Sequence, residues 1–502
     1  MKKVIIIGAG LGGLAAACRL AKSGLSVTIL EKNDSVGGKV NSVESNGYKF
    51  DTGASLVTLP HIFEELFEFC GKSLKDYLTF EKLEPICRYF WSDGTVFDAS
   101  ENLEKTEEQI AKIAPEDVGN FRKYIADAKQ KFEIATRTFL SKSLGELPEL
   151  LTAKNLPDLL KISSLKTLDK HNANFFRSEK MRQLFNRFAT YNGSSPYKIP
   201  ATFALIPFVE FGFGAWFAQG GIYEIPKALE KLALELGVEF LFDANVEKIL
   251  IENGKAIGVK LKNELDDEDF LFADIIVSNA DAIITYKELI DESERKSFPD
   301  KKLEKREPSS SGFVLLLGAK KKFPSLAHHN IFFSDDYETE FRHIFDVRIP
   351  TPQPTIYVSA SSVTDETQAP KTSENLFVLV NVPYMRWQVN WQFEAEPYRD
   401  VIVRKLEKFG LENLNESIEF QEMITPEDFE YKYRANKGSI YGVSSNGILS
   451  AFRRIPNKSS DVENLYFTGG ATHPGGGMPL VILSAKMASD LILQKFDSRK
   501  SG

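Results

Sequence analysis

The chain has 502 residues, a length that suits two or three domains around a large core. Hydrophobic residues make up 43% of it and charged residues 26%, which is ordinary for a soluble globular protein. The net charge of −8 argues against nucleic acid as the main partner. The three cysteines (Cys18, Cys70 and Cys87) and the six scattered histidines form no ligand pattern, so we expect neither a disulfide framework nor a metal site.

The first forty residues have the pattern of a complete dinucleotide-binding βαβ unit. A β-branched run at 3–7 leads into a glycine-rich turn at 8–13, a helix to about residue 22 and a second strand that ends at Glu31. Gly8 permits the tight turn, Gly10 lets backbone approach a pyrophosphate, and Gly13 lets helix and strand pack closely. Glu31 is placed to accept hydrogen bonds from a ribose diol. The unit predicts a nucleotide and leaves NAD and FAD both open.

A second glycine pair follows, Gly37-Gly38-Lys39, and then the segment Phe50-Asp51-Thr52-Gly53-Ala54-Ser55, with Pro60 beyond it. This succession resembles the FAD-binding start of the amine-oxidase-like flavoprotein superfamily. The segment 50–60 resembles one branch of that superfamily, the bacterial phytoene-desaturase-type carotenoid oxidoreductases. The resemblance implies an α/β fold: a Rossmann-like FAD-binding domain with an interleaved α+β substrate domain.

The pattern changes near residue 83, where two short strands at 85–97 surround the hairpin turn Asp93-Gly94. Strands are also expected at 237–250, 256–261, 270–278 and 312–317. We therefore predict a discontinuous FAD-binding domain of residues 1–82, 219–300 and 425–502. Residues 83–218 and 301–424 form the predicted substrate domain.

Residues 152–187 carry eight basic and three acidic side chains, a net charge of +5 in an acidic chain. Leucines at 156, 159, 160, 165 and 168 alternate with lysines at 154, 161, 166 and 170. We interpret this as a basic amphipathic surface that lies on an anionic bilayer. The alternative is a solvated helix whose leucines face the core.

Residues 199–218 are apolar and aromatic, but prolines and glycines interrupt them, so the run is too broken for a membrane-spanning helix. We interpret it as the bent wall of a hydrophobic tunnel, and an ordinary buried core segment is the alternative. The predicted lining residues are Phe208, Phe211, Trp216 and, from a later segment, Trp387.

The C-terminal segment combines a strand at 465–467, a glycine-rich turn at 469–479 and a helix at 481–496. It closely resembles the carotenoid-desaturase C-terminal signature and favours FAD over NAD. A helix N-terminus aimed at the flavin stabilises the negative charge of its reduced form. The expected cofactor-binding residues are Gly8, Gly10, Gly12, Gly13, Glu31, Lys32, Gly38, Lys39, Val246, Gly470 and Met478.

The sequence offers no nucleophile–base pair and no carboxylate dyad, which suits an enzyme whose cofactor carries the chemistry. The resemblance implies oxidation of an allylic C–C bond in a long polyene, by hydride transfer to the flavin and loss of a proton. Glu210, the charge within the aromatic run, and His473 are candidate proton acceptors. Each has a structural alternative: a carboxylate at a tunnel mouth or on the surface for Glu210, and a turn residue near the cofactor for His473.

The sequence is compatible with several functions. Desaturation of hydroxylated carotenoids, isomerisation and saturation occur in the resembled family, and an amine oxidase or a non-catalytic flavoprotein would belong to other classes. The expected partners are a lipophilic polyene, an anionic membrane surface, and oxygen or a quinone as electron acceptor, with no nucleic acid. The expected location is the cytoplasm, peripherally on the inner face of the cell membrane.

Overall fold

The computed structural model describes residues 1–140, 142–144, 162, 165–262, 269–386, 388–447, 450 and 454–500. The strands in these ranges are β1 (Lys3–Ile7), β2 (Ser26–Leu30), β3 (Ser42–Ser45), β4 (Tyr48–Asp51), β5 (Phe80–Lys82), β6 (Cys87–Phe90), β7 (Val96–Ala99), β8 (Trp216–Ala218), β9 (Glu239–Leu241), β10 (Val246–Glu252), β11 (Lys255–Leu261), β12 (Asp269–Phe272), β13 (Ile275–Ser278), β14 (Ser311–Ala319), β15 (His329–Phe332), β16 (Ile356–Ser359), β17 (Glu374–Val382), β18 (Ile418–Ile424) and β19 (Leu465–Phe467).

The α-helices in the same ranges are α1 (Leu11–Lys22), α2 (Pro60–Phe69), α3 (Leu103–Ile113), α4 (Val118–Ala135), α5 (Leu168–Phe175), α6 (Glu179–Asn186), α7 (Ile206–Phe213), α8 (Glu224–Glu235), α9 (Ala282–Leu289), α10 (Asp300–Glu304), α11 (Tyr337–Arg342), α12 (Trp391–Lys408), α13 (Leu414–Ser417), α14 (Pro426–Tyr433) and α15 (Met478–Lys500). None of these helices is long and apolar enough to cross a bilayer.

A five-stranded parallel sheet, in the order β19-β13-β1-β2-β9, contains the predicted βαβ unit as β1, α1 and β2. Both faces of this sheet are buried. Val4 and Ile6 pack in the cluster that contains α1, α8 and α15, whereas Ile5 and Ile7 face the strands β10 and β11. This period of two explains why the strand has an unbroken β-branched sequence: each face needs apolar side chains.

The prediction that residues 237–278 form three strands was wrong, because the chain forms five strands there. β9 and β13 belong to the parallel sheet, and β10, β11 and β12 form a separate antiparallel sheet that covers it. Asp243, in the left-handed region with φ of 53°, separates β9 from β10. Between β12 and β13 the Asp274 N–H donates to the Lys3 carbonyl oxygen at 3.0 Å, which marks the change from one sheet to the other.

A seven-stranded sheet forms the second half of the molecule, in the order β18-β14-β17-β16-β15-β6-β7, with only the β15–β6 pair parallel. It contains the predicted hairpin around Asp93-Gly94 as β6 and β7, and the predicted strand at 312–317 as β14. One face packs on α12 through residues such as Phe313 and Leu315. The opposite face presents Val314, Phe377 and Leu379 to a cavity.

All seven strands of this sheet come from residues 83–218 and 301–424, and all five strands of the parallel sheet come from the other ranges. β5 and β8 pair where the chain leaves and re-enters the parallel-sheet half. The limits of the two domains stay a proposal, which this distribution of strands supports.

Candidate active site

A cavity of about 470 Å³ lies between the two large sheets. Its floor is the carboxyl edge of the parallel sheet, where β1, β2, β13 and β19 end at Ile7, Leu30, Ser278 and Phe467. Ligands of open parallel sheets bind outside this edge. Its roof is the inner face of the seven-stranded sheet. One continuous space therefore joins a nucleotide-type edge to an apolar wall.

The glycine turn after β1 lets helix, strand and neighbouring loop meet closely. A Cβ atom at Gly13 would lie 2.1 Å from the Gly8 carbonyl oxygen, so only glycine lets α1 start this near to β1. A Cβ atom at Gly12 would lie 2.5 Å from Oδ1 of Asn279 and 2.9 Å from Oγ1 of Thr468. Gly10 caps α1 without a side-chain hydrogen bond, and Gly8, Gly10 and Gly12 line the cavity. A helix N-terminus open to a cavity is an anion site.

Glu31 is buried at the end of β2 and lines the cavity. One carboxylate oxygen accepts a hydrogen bond from the Ala9 N–H at 2.7 Å, and the other accepts from the backbone and side chain of Asn33 at 3.0 and 2.9 Å. Glu31 thus holds the glycine turn in place. Its carboxylate oxygens can accept further hydrogen bonds, as the predicted bonds from the hydroxyls of a ribose require.

Two lysines border this part of the cavity. The Lys39 ammonium donates to the carbonyl oxygens of Ser439 and Ile440 at 3.0 and 3.3 Å, and burial lowers its pKa. Lys32 donates to the Tyr431 carbonyl oxygen at 2.8 Å, and burial lowers its pKa as well. Gly38 and Val246 also line the cavity, so the structure brings these predicted residues to the same space as the glycine turn.

The C-terminal turn closes the cavity from the other side. Gly470 and Met478 line it, and Met478 begins helix α15. Gly475 lies against a side chain that the sequence interpretation missed, because a Cβ atom there would be 1.6 Å from the Arg454 guanidinium. Arg454 is buried, hydrogen-bonds Ser445 Oγ at 3.1 Å, and burial lowers its pKa to about 10. A buried guanidinium behind the turn adds positive potential to the helix N-terminus.

These residues fit FAD. The close-packed glycines and the open N-terminus of α1 suit its phosphates. The N-terminus of α15 suits the flavin, and the buried carboxylate of Glu31 suits the ribose. Sequence reasoning missed Asn279 and Thr468, whose side chains pack against Gly12 of the glycine turn. Asn279 follows β13 directly, but no local pattern indicated that its side chain would contact the glycine turn.

Beside the seven-stranded sheet, the cavity borders a buried cluster of polar side chains around Arg187. Arg187 donates to the Tyr89 hydroxyl from Nε at 2.9 Å and from Nη2 at 2.6 Å. Nη2 also lies 2.8 Å from Oε2 of Glu210, and the Tyr191 hydroxyl donates to the same carboxylate. Arg187 and Tyr191 line the cavity, whereas Glu210 lies behind them and is 1% exposed. Glu210, a candidate proton acceptor in the sequence, therefore already accepts hydrogen bonds from an arginine and a tyrosine.

A second polar chain lies on the same wall. The hydroxyls of Ser55 and Tyr357 are 2.6 Å apart, and Tyr357 Oη lies 2.8 Å from Nδ1 of His329. Burial raises the pKa of Tyr357 and lowers that of His329 strongly, so both groups are neutral near pH 7. Nε2 of His329 has no hydrogen-bond partner in the part of the chain that the structure describes. Sequence reasoning missed this chain, which unites three distant segments.

The predicted tunnel residues lie elsewhere. Phe208 packs on Phe132 with ring centroids 5.5 Å apart, and Phe211 packs on Phe121 at the same separation. Trp216 Nε1 donates to the Phe213 carbonyl oxygen at 2.8 Å. None of the three predicted residues is in the cavity wall, and the structure places them in the packed core beside it. Trp387 lies outside the described residues.

His473 is buried and also stands off the cavity wall. Its Nε2 lies 3.1 Å from the Phe139 carbonyl oxygen and 2.9 Å from that of Lys142, and burial lowers its pKa to about 4. These contacts agree with the structural alternative, a turn residue that holds the C-terminal loop.

Comparisons with known proteins agree with this geometry. The family model for flavin-containing amine oxidoreductases matches residues 11–493. Among curated proteins, the 1-hydroxycarotenoid 3,4-desaturase of Flavobacterium sp. (strain P99-3) is 41% identical over 98% of this chain and 99% of its own length. The 4,4'-diapolycopene oxygenase of Methylomonas sp is 39% identical, over 98% of both chains. Among solved structures, cyclohexylamine oxidase from Brevibacterium oxydans IH-35A has a TM-score of 0.63 at 18% identity, over 99% of both chains.

The chain belongs to the flavin-containing amine oxidoreductase family. It is an FAD-dependent oxidoreductase with the mixed α/β, Rossmann-like fold that the sequence predicted.

Proposed function

We propose that this protein is an FAD-dependent carotenoid desaturase that introduces a C=C bond into a long polyene at an allylic C–C bond. The observation that carries the proposal is the cavity itself, which runs without interruption from the glycine turn of β1 to the apolar face of the seven-stranded sheet. The names of the relatives, a hydroxycarotenoid desaturase among them, support the same substrate class.

Bound FAD would supply the two-electron oxidation, in which the substrate loses two hydrogens and the flavin gains them. The residues of the chain contribute position and environment. Val314, Phe377 and Leu379 from β14 and β17, with Ile331 from β15, offer an apolar surface on which a polyene can lie. The neutral hydroxyls of Ser55 and Tyr357 stand on the same wall, and the neutral ring of His329 behind Tyr357 orients the Tyr357 hydroxyl by a hydrogen bond at 2.8 Å.

The test is expression in cells that accumulate acyclic carotenoids, followed by extraction and absorption spectroscopy. New bands at longer wavelength, with a mass loss of two hydrogens per step, are the expected result. A substitution Tyr357→Phe is expected to slow product formation while FAD stays bound. Unchanged spectra with phytoene, with later acyclic carotenoids and with hydroxylated ones would contradict the proposal.

A second candidate is oxygenation of a carotenoid of the diapolycopene type. It is favoured by one observation, the 39% identity to a diapolycopene oxygenase over nearly the full length of both chains. Mass spectrometry of the same extracts separates the two: a gain of oxygen indicates the oxygenase and a loss of hydrogen the desaturase.

We also propose that the protein works at the cytoplasmic face of the cell membrane, bound peripherally to anionic lipid through residues 152–187. Leucines 156, 159 and 160 and lysines 154 and 161 of this segment lie outside the described residues. Within the described residues, Leu165 is 82% exposed beside the exposed Lys166 and Lys170, which supports the proposal, whereas Leu168 is buried in the core.

Oxygen or a membrane quinone is the proposed electron acceptor.

Co-sedimentation with vesicles of anionic lipid tests the membrane proposal. Charge reversal at Lys166 and Lys170 is expected to weaken the binding, because each basic residue near an anionic surface contributes about 1 kcal/mol. The matched control reverses Lys301 and Lys305, which are exposed on another part of the surface. Equal binding by both double variants would contradict the proposal.

A further inference from the structure

Arg187 is a buried cation that faces a cavity built for an apolar ligand. It is 6% exposed, and its guanidinium stacks on the Phe188 ring at 4.2 Å from the centroid. Its hydrogen bonds engage Nε and Nη2, through Tyr89 and Glu210. Nη1 makes no hydrogen bond to any residue that the structure describes. Two N–H donors of a cavity-lining side chain are therefore uncommitted.

A polyene that is purely hydrocarbon would remove these donors from water without replacing the lost hydrogen bonds. A buried donor without a partner is unfavourable, and a donor on a charged group more so. A ligand with an oxygen atom at this point would instead accept a charge-assisted hydrogen bond. The same polyene with and without the oxygen should thus differ clearly in affinity.

The charge of the surroundings indicates which kind of oxygen fits. Glu210 lies 2.8 Å from Nη2 and already neutralises Arg187, and both side chains are buried. A carboxylate on the ligand would add a second negative charge beside Glu210 without a further cation, which burial penalises. A neutral oxygen, such as a hydroxyl or carbonyl, avoids this cost.

Glu210 also fixes the direction of the guanidinium. It binds Nη2 from behind, and the Tyr191 hydroxyl, which donates to the same carboxylate, holds it there. With Tyr89 on Nε, the guanidinium is tied at two of its three nitrogens. An arginine held this rigidly loses little freedom on binding a ligand.

We propose that Arg187, positioned by Glu210, hydrogen-bonds a neutral oxygen atom near one end of the polyene and so selects oxygen-bearing polyenes over hydrocarbon ones. The inference rests on the proposed carotenoid function and deepens it. It makes Arg187 a specificity-determining residue and Glu210 a positioning residue.

The experiment compares two acyclic carotenoids of equal length and conjugation, one with a terminal hydroxyl group and one without. Anaerobic titration of the enzyme with its FAD already reduced by dithionite, which leaves the polyene unreacted, followed by quenching of tryptophan fluorescence, gives the two dissociation constants. The wild-type protein is expected to bind the hydroxylated polyene at least about tenfold more tightly, the size of one hydrogen bond to a charged group. A keto analogue in a third titration is expected to behave like the alcohol.

The main variant combines Arg187→Met with Glu210→Gln, which removes both charges together and leaves no unpaired ion in the core. Its affinity for the hydroxylated polyene is expected to fall to that for the hydrocarbon, with the latter unchanged. Arg187→Lys, a second variant that keeps the ion pair, is expected to lose most of the preference, because an ammonium lacks the fixed fork. The matched control is Arg295→Met with Asp300→Asn, an ion pair at 2.8 Å outside the cavity whose arginine is buried, which should keep the preference.

Equal affinity of the wild-type protein for the two polyenes would overturn the inference and leave the desaturase proposal intact. So would a preference that persists in either Arg187 variant. Failure to bind any of the polyenes would overturn the proposed carotenoid function and this inference with it.

Discussion

Gly13→Ala tests the cofactor site at its tightest contact. The new Cβ atom would lie 2.1 Å from the Gly8 carbonyl oxygen, and real Cβ atoms keep at least about 3.0 Å, so α1 and the turn must separate by roughly 0.9 Å. Because the obstacle is backbone, no side-chain rotation relieves it. Overpacking of this kind costs about 1–3 kcal/mol, and the higher helix propensity of alanine offsets about 1 kcal/mol of that.

The expected consequence is larger for the cofactor than for the fold. The shift moves the N-terminus of α1 and the Glu31–Ala9 hydrogen bond, which both lie in the proposed FAD site. A loss of about 1.4 kcal/mol in binding corresponds to a tenfold weaker dissociation constant. We expect at least that change, together with a lower ratio of flavin to protein after purification.

The assay is quenching of FAD fluorescence on addition of flavin-depleted protein, with urea unfolding in parallel. The matched control is Gly119→Ala in α4, where a Cβ atom meets no other atom within 4 Å. It should bind FAD as the wild-type protein does and lose no stability. Wild-type FAD affinity and stability in Gly13→Ala would refute the argument from close packing.

Two further substitutions have defined outcomes. Burial raises the pKa of Glu340 to about 7, although its carboxylate accepts hydrogen bonds from Thr355. Since the folded-state pKa is the higher one, this group stabilises the fold below about pH 4.5 and loses that contribution as the pH rises through 7. Glu340→Gln should therefore gain up to roughly 3 kcal/mol relative to wild type between pH 5 and pH 8 in urea unfolding, and parallel pH profiles would contradict this. His473→Gln should retain turnover within about threefold with an unchanged pH profile, because Gln can still donate to the Phe139 and Lys142 carbonyls. The check is the pH dependence of stopped-flow rates. If the variant loses a kinetic pKa that the wild-type protein shows, His473 acts as a base after all.

The cofactor half of the molecule could be predicted from the sequence because its signals are local. The glycines, the β-branched strand and Glu31 lie within 31 consecutive residues, and each residue type follows from a constraint on its own backbone. The division of residues 237–278 could not be predicted in the same way. The segment 237–250 has the composition of one strand, and only their different partner strands, on either side of Asp243, separate β9 from β10.

The substrate wall was the harder part for the same reason. The aromatic run at 208–216 has the composition expected of a tunnel, but composition does not indicate which side of a segment faces the cavity. The residues that do line the wall come from β14, β15, β16 and β17, from the loop at Ser55 and from the 3₁₀ helix that begins at Arg187. Their proximity depends on contacts across hundreds of residues, such as that between Ser55 and Tyr357, which no local pattern records.

The most direct test of the account is anaerobic mixing of the purified, FAD-loaded protein with an acyclic carotenoid. The account predicts that the flavin absorption near 450 nm bleaches while a polyene band appears at longer wavelength, in equal molar amounts. To resolve the overlapping bands, the product is extracted and quantified separately. If a primary amine bleaches the flavin, and neither a hydroxylated nor a hydrocarbon carotenoid does so, the result would contradict the account and indicate an amine oxidase.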